Sequence, residues 1–200
     1  MAGIEPLRVA ITNKYKNDHG LEYDPKTEIV VTAGACEALG IAMLTLMNSG
    51  DEILVPSPYF PAYLDQAIIA DVKLVEVPLK MENNFSLKVE DLAKRITDKT
   101  KIILINTPHN PTGAIIGKED LEKIAKLAIE KDLIVISDET YDQFIFKGKH
   151  ESIASIPGMK ERTIIINSAS KTYSMTGWRI GYAMGPAHII KYLLKTHQNF

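Results

Sequence analysis

Lys171 and Arg179 are the first candidates for chemistry, in the segment INSASKTYSMTGWRIGY, residues 166–182. Lys171 follows the apolar run TIIIN (163–167), whose β-branched residues predict a buried strand. We therefore expect the lysine in a serine-rich loop just past the carboxyl end of that strand. An amine held there can attack a carbonyl carbon, and the guanidinium fork of Arg179 can bind a phosphate.

Asp138 is a second candidate, because it ends the apolar run LIVISD (133–138). Burying a carboxylate without a cationic partner costs on the order of several kcal/mol, so we expect a positive group beside it. Lys171 is one candidate partner, and a protonated heterocycle is another. A partly desolvated lysine close to cationic groups has a lowered pKa, which frees its amine for a Schiff base.

A helix is predicted to begin directly after the first strand, at Gly34, Ala35 and Cys36. Its unpaired backbone N–H groups would form a seat for an anion. Ser168 and Arg179 can complete a phosphate site there. A phosphate seat, a buried carboxylate and an amine nucleophile together match the needs of pyridoxal phosphate. The chain has neither the G-x-G-x-x-G nor the G-x-x-x-x-G-K-[ST] motif, so nucleotide-binding classes lose support.

The elements that must position these groups alternate along the chain. Apolar runs predict strands at 28–32, 52–56, 72–77, 101–106, 133–138 and 163–167. Helical periodicity is clearest at 118–131, and helices are also predicted at 6–18, 35–47 and 187–197. This order predicts a three-layer α/β/α domain with a mostly parallel sheet. The run RIGYAM (179–184) is expected to add an antiparallel strand.

Short polar segments follow four of the predicted strands. They contain Gly34 to Cys36, the sequence TPHNPTG (107–113), the sequence SDETY (137–141) and the sequence SASK (168–171). In open α/β sheets, ligands bind outside the carboxyl ends of the strands. The four segments are therefore expected to meet at one mouth.

Composition limits the functional classes. A chain of 200 residues that is 46% hydrophobic fits one domain, and we place no domain boundary inside it. The net charge of −2, without long runs of like charge, argues against binding to nucleic acid or to a membrane surface, and favours a small-molecule partner. The single cysteine excludes an internal disulfide, and no membrane-spanning run is seen. We expect a soluble, cytoplasmic protein and no metal in the site.

Five segments carry a resemblance to a known family. They are VTAGACEAL (31–39), PSPYFPAY (56–63), NTPHNPTG (106–113), SDETYDQF (137–144) and SASKTYSMTGWRIGY (168–182), in family order. The chain resembles the class I/II aminotransferases of the aspartate aminotransferase superfamily, which are fold-type-I enzymes dependent on pyridoxal 5'-phosphate. One such segment is suggestive, whereas five in register are highly specific.

The resemblance implies roles for individual residues. Lys171 would carry the cofactor as an internal aldimine and then shuttle a proton at the substrate α-carbon. Asp138 would keep the pyridine nitrogen protonated. Tyr141 and Asn110 would hydrogen-bond the phenolic oxygen of the cofactor, and Phe60 would stack on its ring. The phosphate would be held by Gly34, Ala35, Cys36, Ser168 and Arg179, with Ser170 as a weaker candidate.

Other interpretations remain open for several of these residues. Asn110 also suits the turn in HNPTG, and Cys36 is more simply a small residue beside an anion than a nucleophile. His109 beside this turn is expected to serve packing or hydrogen bonding, not catalysis. Of the aromatic residues 59, 60 and 63, only Tyr59 is interpreted as ordinary packing.

The resemblance also implies what this chain lacks. Residues 1–200 would form an incomplete cofactor-binding large domain, without the family's N-terminal segment and C-terminal small domain. The leading function is an aminotransferase acting on an amino acid and a 2-oxo acid, with an aspartate-like substrate considered. One alternative is a C–S lyase of the same fold, and another is a cofactor-binding or oligomerising fragment without turnover. A homodimer is expected.

Overall fold

Seven strands form one mixed sheet in the computed structural model, which describes residues 2–199. The strands, in chain order, are β1 Ile29–Thr32, β2 Glu52–Ser57, β3 Lys73–Pro78, β4 Thr100–Asn106, β5 Ile134–Asp138, β6 Thr163–Ser168 and β7 Gly181–Met184. Their order across the sheet is β1-β7-β6-β5-β4-β2-β3. The pairs β2·β3, β2·β4, β4·β5 and β5·β6 are parallel, whereas β7 is antiparallel to both β1 and β6.

Helices cover both faces of this sheet. They are α1 Glu5–His19, α2 Ala35–Leu46, α3 Ala62–Ile69, α4 Val89–Ala93, α5 Lys118–Glu130, α6 Ala169–Thr172 and α7 Ala187–His197. Apolar side chains of α2, α3 and α7 share one buried cluster with strand residues such as Leu104, Ile136 and Ile166. Helices α4 and α5 pack on the opposite face against Ile103 and Val135, and α1 packs there against Ile165. Successive residues of a strand therefore point to opposite faces of the sheet, and each face carries its own buried core. This is the pattern of a three-layer α/β/α domain.

The predicted architecture is confirmed. The six strands predicted from apolar runs lie within one residue of their predicted bounds, and the predicted antiparallel strand begins two residues later than expected, at Gly181–Met184. Helix α7 has its predicted bounds, and the other three predicted helices differ by a single residue at one or both ends. Helices α3 and α4 were not predicted. The predicted bounds of the domain, residues 1 and 200, lie outside the described residues.

One local prediction is wrong. Lys171 was expected in a loop, but it lies in the short helix α6, which begins directly after β6. Ser168 is the N-cap residue, with extended backbone at φ −152°. Serine suits this position because its short polar side chain competes with helical hydrogen bonding inside a helix and favours the cap.

Within residues 2–199, no helix combines the length and the apolar character that crossing a bilayer requires.

Candidate active site

A cavity of about 180 Å³ opens at the carboxyl edge of the sheet. All but one of the predicted site residues line it: Ala35, Cys36, Phe60, Asn110, Asp138, Tyr141, Ser168, Ser170, Lys171 and Arg179. Arg179 reaches this edge because β7 runs antiparallel, so that the residues before it lie beside the carboxyl end of β6. The exception is Gly34, which lies directly behind Arg179.

Asp138 is a buried carboxylate at the end of β5. Its Oδ2 accepts a hydrogen bond of 2.6 Å from the hydroxyl of Tyr63, and its Oδ1 accepts one of 3.1 Å from the backbone N–H of Thr140. Burial raises the pKa of Asp138, and the hydrogen bonds from Tyr63 and Thr140 oppose this rise. The carboxylate therefore has donors, but these donors are neutral.

Of the two candidate partners of Asp138, Lys171 does not pair with it. No cationic side chain among residues 2–199 forms an ion pair with Asp138, whose polar partners are Tyr63 and Thr140. Lys171 projects from α6 and is exposed, with its Nζ 5.7 Å from the centre of the Tyr141 ring. The lysine is also less desolvated than expected, because one turn of helix carries it to the mouth of the cavity and not into the sheet.

Asn106 connects two of the strand ends that form the cavity. Its side-chain amide donates a hydrogen bond of 3.0 Å to the backbone carbonyl of Asp138. Its side-chain oxygen accepts one of 2.7 Å from the backbone N–H of Asn110. Asn106 is buried, so these bonds are shielded from water. It fixes the loop that carries Asn110 against the end of β5.

The N-terminus of α2 forms the opposite wall. Gly34 is its N-cap residue, with φ 85° and ψ 170°, and no side chain caps the helix. The Nη2 of Arg179 lies so close to Gly34 that a Cβ there would be only 2.5 Å from it. Arg179 is held by the backbone carbonyls of Thr176 at 3.0 Å and Ala33 at 3.4 Å. Backbone N–H groups and a guanidinium therefore face the cavity from one side.

Gly181 allows this wall to form. A Cβ on Gly181 would lie 2.2 Å from the carbonyl carbon of Gly34 and 2.5 Å from the nitrogen of Ala35. Any side chain at this position would push the first turn of α2 away from β7. The glycine pair thus holds the N-terminal end of α2 against the strand that follows Arg179.

The remaining predicted residues also lie on the cavity wall. Phe60 is half-buried, and its ring packs edge-on against Tyr63 at 5.8 Å between centroids. Ser168 and Ser170 are buried at the end of β6 and in α6. Tyr59, interpreted as a packing residue, lies outside this wall and donates a hydrogen bond of 3.1 Å to Glu76.

His109 likewise lies outside this cavity. Its Nδ1 is 2.7 Å from the hydroxyl of Thr112, and burial lowers the pKa of the histidine. Its backbone N–H donates to the carbonyl of Ala114, and its carbonyl accepts from the N–H of Gly113. These contacts close the turn after β4, in line with the structural role expected for His109.

Sequence reasoning missed five residues of the cavity wall. They are Leu39, Tyr63, Asn106, Thr140 and Thr176. Asn106 had a detectable signal, because it is a polar residue at the end of an otherwise apolar strand. The buried hydroxyl Oγ1 of Thr140 has no hydrogen-bond partner among the described residues. Thr140 lies in the segment SDETY (137–141), which was expected at the mouth, but no role was assigned to this residue.

Comparison with known proteins decides the family. A family model described as "Aminotransferase class I and II" matches residues 1–200. The chain belongs to the class I and II aminotransferases. Its membership confirms the resemblance found in the five motifs, and with it the fold of the large domain in this family.

Individual relatives of this aminotransferase chain carry different names. The chain is 45% identical over 194 residues to aromatic-amino-acid aminotransferase 2 of Thermococcus litoralis, covering 96% of this chain and 50% of the relative. It is 48% identical over 194 residues to an aspartate aminotransferase of Pyrococcus abyssi, with the same coverage. The chain thus spans about half the length of the curated relatives it matches.

Solved structures give the same picture. An aromatic aminotransferase from Pyrococcus horikoshii superimposes with a TM-score of 0.96 at 47% identity, covering 99% of this chain and 53% of that protein. N-succinyldiaminopimelate aminotransferase from Mycobacterium tuberculosis also superimposes with a TM-score of 0.96, at 40% identity, covering 99% of this chain and 52% of that protein.

Proposed function

We propose that this chain is the cofactor-binding domain of an aminotransferase and that it holds pyridoxal 5'-phosphate in the cavity at the carboxyl edge of the sheet. The observation that carries the proposal is the buried carboxylate of Asp138, which has no cationic partner among the described residues and faces the same cavity as the amine of Lys171. Such a carboxylate calls for a cation supplied from the cavity.

The residues present fit this cofactor at both of its ends. A protonated pyridine nitrogen would give Asp138 the positive partner that the chain itself does not provide. The uncapped start of α2 and the guanidinium of Arg179 suit the phosphate, because both favour negative charge. The unpartnered Oγ1 of Thr140 is a further polar atom on the wall.

Each residue then has a defined task. Ala35 and Cys36 would supply backbone N–H groups to the phosphate, beside Gly34, whose own N–H donates to the carbonyl of Thr32. Ser168, Ser170 and Arg179 would supply side-chain donors. Asp138 would hold a proton at the ring nitrogen. Tyr141 and Asn110 would hydrogen-bond the phenolic oxygen, and Phe60 would pack on the ring.

When bound, pyridoxal phosphate supplies an electron sink that stabilises negative charge at the α-carbon of an amino acid. The Nζ of Lys171 would hold the cofactor before substrate binds, and, once substrate has displaced it, the free amine would move a proton at the substrate α-carbon. Tyr63 and Thr140 orient the Asp138 carboxylate through the hydrogen bonds described above.

The substrates proposed are an amino acid and a 2-oxo acid. The relatives named above act, by their names, on aspartate, on aromatic amino acids and on N-succinyldiaminopimelate, so what they share is amino-group transfer and not one side chain. We propose an aspartate-like substrate as the first to test. The parent protein is proposed to be a homodimer located in the cytoplasm.

Two alternatives define the outcomes of the functional test. A C–S lyase would use the same lysine and aspartate but release ammonia. A binding domain without turnover would take up the cofactor and leave amino acids unchanged. Neither has an observation of its own in this structure that favours it over amino-group transfer.

The test is product analysis after the chain is loaded with pyridoxal phosphate and mixed with aspartate or an aromatic amino acid. Amino-group transfer predicts equimolar pyridoxamine phosphate and 2-oxo acid, with no ammonia. Ammonia together with a 2-oxo acid would show elimination instead. Unchanged amino acid with bound cofactor would show a binding domain only. Lys171→Ala is the control and should abolish product formation while leaving the fold intact, because Lys171 is exposed.

A further inference from the structure

A second cluster of polar side chains lies outside the cavity, next to α1, whose Tyr15 contacts Glu139. It consists of His19 at the end of α1, Glu139 directly after β5, and His150 in the segment between β5 and β6. One ligand atom from each residue can be chosen so that all three lie within 4.8 Å of one another. None of these residues lines the cavity, and none has a task in the proposed function.

Glu139 is fixed at the centre of this cluster and is fully buried. Its Oε1 accepts hydrogen bonds from the hydroxyls of Ser137 at 2.9 Å and Ser152 at 2.7 Å. Its Oε2 accepts only a long bond of 3.3 Å from the hydroxyl of Tyr15. One carboxylate oxygen is therefore satisfied, and the other is directed towards the histidines.

The histidine nitrogens are buried without hydrogen bonds. His150 is 7% exposed, and neither its Nδ1 nor its Nε2 has a hydrogen-bond partner among the described residues. The Nε2 of His19 is buried and unpartnered as well. Folded proteins rarely leave such atoms unpaired, because each loses its contact with water. The Nε2 of His150 contacts the Oε2 of Glu139 at 3.3 Å as an ion pair without hydrogen-bond geometry, whereas the Nε2 of His19 has no such contact among the described residues. Both histidines lie within reach of one carboxylate, which indicates a shared ligand.

The spacing suits a small divalent cation. Zinc binds imidazole nitrogen and carboxylate oxygen at about 2.0–2.2 Å, which places neighbouring ligand atoms of a tetrahedron roughly 3.3 Å apart. The Nε2 of His150 lies 3.3 Å from the Oε2 of Glu139. The rings of His19 and His150 meet at 83° with centroids 5.4 Å apart, so a cation between them can meet both.

We propose that His19, Glu139 and His150 bind one divalent transition-metal ion of the zinc class. Two imidazoles and one carboxylate form the mixed nitrogen and oxygen donor set that zinc accepts. The ion would tie the end of α1 and the segment before β6 to Glu139, the residue next to Asp138. The proposed role is to join these segments, because none of the three ligands lines the cavity. Water would take the fourth position of a tetrahedron.

The test uses the 200-residue chain, freed of any affinity tag, stripped with a chelator and titrated with cobalt(II) and then zinc(II). We expect one cobalt ion per chain with the visible absorption of a tetrahedral site, its displacement by zinc, and a higher melting temperature with zinc bound. A wild-type chain without saturable cobalt absorption would overturn the proposal and leave a buried imidazole–carboxylate pair as the structure of this cluster.

Variants locate the site. His19→Gln is preferred because His19 is only half-buried, so that folding should survive. We expect zinc affinity to fall by more than about 100-fold, beyond the effect typical of outer-shell substitutions. His188→Gln, an exposed histidine on α7, is the matched control and should leave affinity unchanged. Equal affinity in His19→Gln and wild type would place the metal elsewhere and contradict the proposal. The titration contains no pyridoxal phosphate, so its outcome is independent of the proposed function.

Discussion

Asp138 is the residue whose surroundings are hardest to explain without a bound cation. It is buried, its pKa is raised by burial, and both of its observed donors are neutral. Neutral hydrogen-bond donors can orient a carboxylate but do not compensate its charge. The environment of this one side chain therefore connects the fold to the proposed cofactor.

Replacement of Asp138 by asparagine tests this interpretation. Asp138→Asn keeps the size and the bond from Thr140 but removes the charge. A charge-assisted hydrogen bond is worth about 1.5–3 kcal/mol, so the dissociation constant of pyridoxal phosphate should rise roughly 10- to 150-fold. Equilibrium dialysis measures this, with Asp65→Asn, an exposed aspartate on α3, as the control. Equal affinity in both variants would remove Asp138 from the site.

Gly34 offers a second residue-scale prediction, because it combines a positive φ with contact to Arg179. Gly34→Ala should cost about 1–3 kcal/mol of unfolding free energy through backbone strain. It should also displace the flexible guanidinium and weaken binding of pyridoxal phosphate. Both effects are measurable, by urea denaturation and by dialysis.

Gly20 is the matched control for this substitution. It has φ 68°, and no heavy atom lies within 4 Å of an added Cβ. Gly20→Ala should therefore cost about 1–2 kcal/mol of strain without changing cofactor affinity. If the two variants bind pyridoxal phosphate equally, Arg179 and Gly34 do not form the phosphate seat.

Position at a strand end was enough to find Lys171, Asp138 and Asn110 from the sequence. It was not enough to find Tyr63, which reaches the cavity through contacts between distant elements. The hydrogen bond from Tyr63 to Asp138 spans 75 positions of the chain. Such a contact follows from the packing of α3 against the sheet and has no local signature.

At the scale of elements, the helices and strands that were predicted correctly are those whose hydrophobic pattern continues over the whole element. The inner strands β2, β4, β5 and β6 are buried on both faces, so their apolar runs are continuous, and α5 alternates buried and exposed sides over 13 residues. Helices α3 and α4 are short, with 8 and 5 residues, and their patterns are too brief to separate from loops. The one turn of α6 was missed for the same reason.

The hydrogen bonds of Glu52 lead to a prediction of how the stability of the chain at β2 depends on pH. It opens β2 and accepts hydrogen bonds from Thr97 at 2.6 Å and from Lys73 at 2.9 Å. The bonds from Thr97 and Lys73 hold the pKa of Glu52 below its ordinary value of 4.5. A lowered folded pKa adds stability above the unfolded pKa, and this stability is lost as pH falls through the folded value.

The unfolding free energy of the wild-type chain should therefore decrease below pH 4.5 more steeply than that of Glu52→Gln. Urea denaturation at neutral and at acidic pH measures the difference. Glu119→Gln, at an exposed position of α5, should behave as wild type. Parallel pH profiles for wild type and Glu52→Gln would show that this group does not tie β2 to its neighbours.

At the scale of the whole molecule, large aromatic side chains remain exposed between α6 and β7. Trp178 is 71% exposed and Tyr173 is 58% exposed, and both flank the segment between α6 and Arg179. Exposed aromatic groups of this size are typical of surfaces that bind other proteins. They support the proposed homodimer.

Light scattering should accordingly give twice the mass of one chain. Trp178→Ser should shift this mass towards the monomer, whereas Tyr192→Ser, an aromatic residue on α7 that is 54% exposed, should not. A wild-type chain with the mass of a monomer at all concentrations would contradict self-association through this face.

The family of the whole chain was evident from five motifs, and the comparison confirms it. The substrate was not evident, because close relatives with different named substrates share this half of the protein. Residues that would hold the proposed cofactor face the same physical demands in all of these relatives. Residues that contact the side chain of the substrate do not.

The most direct test of the account is borohydride reduction of the chain after incubation with pyridoxal phosphate, followed by peptide mapping. We predict one reduced phosphopyridoxyl group per chain, located on Lys171. Loss of that group in Lys171→Ala, with no new site of labelling, would complete the assignment. Absence of label, or label spread over the exposed lysines, would contradict the claim that this cavity holds the cofactor.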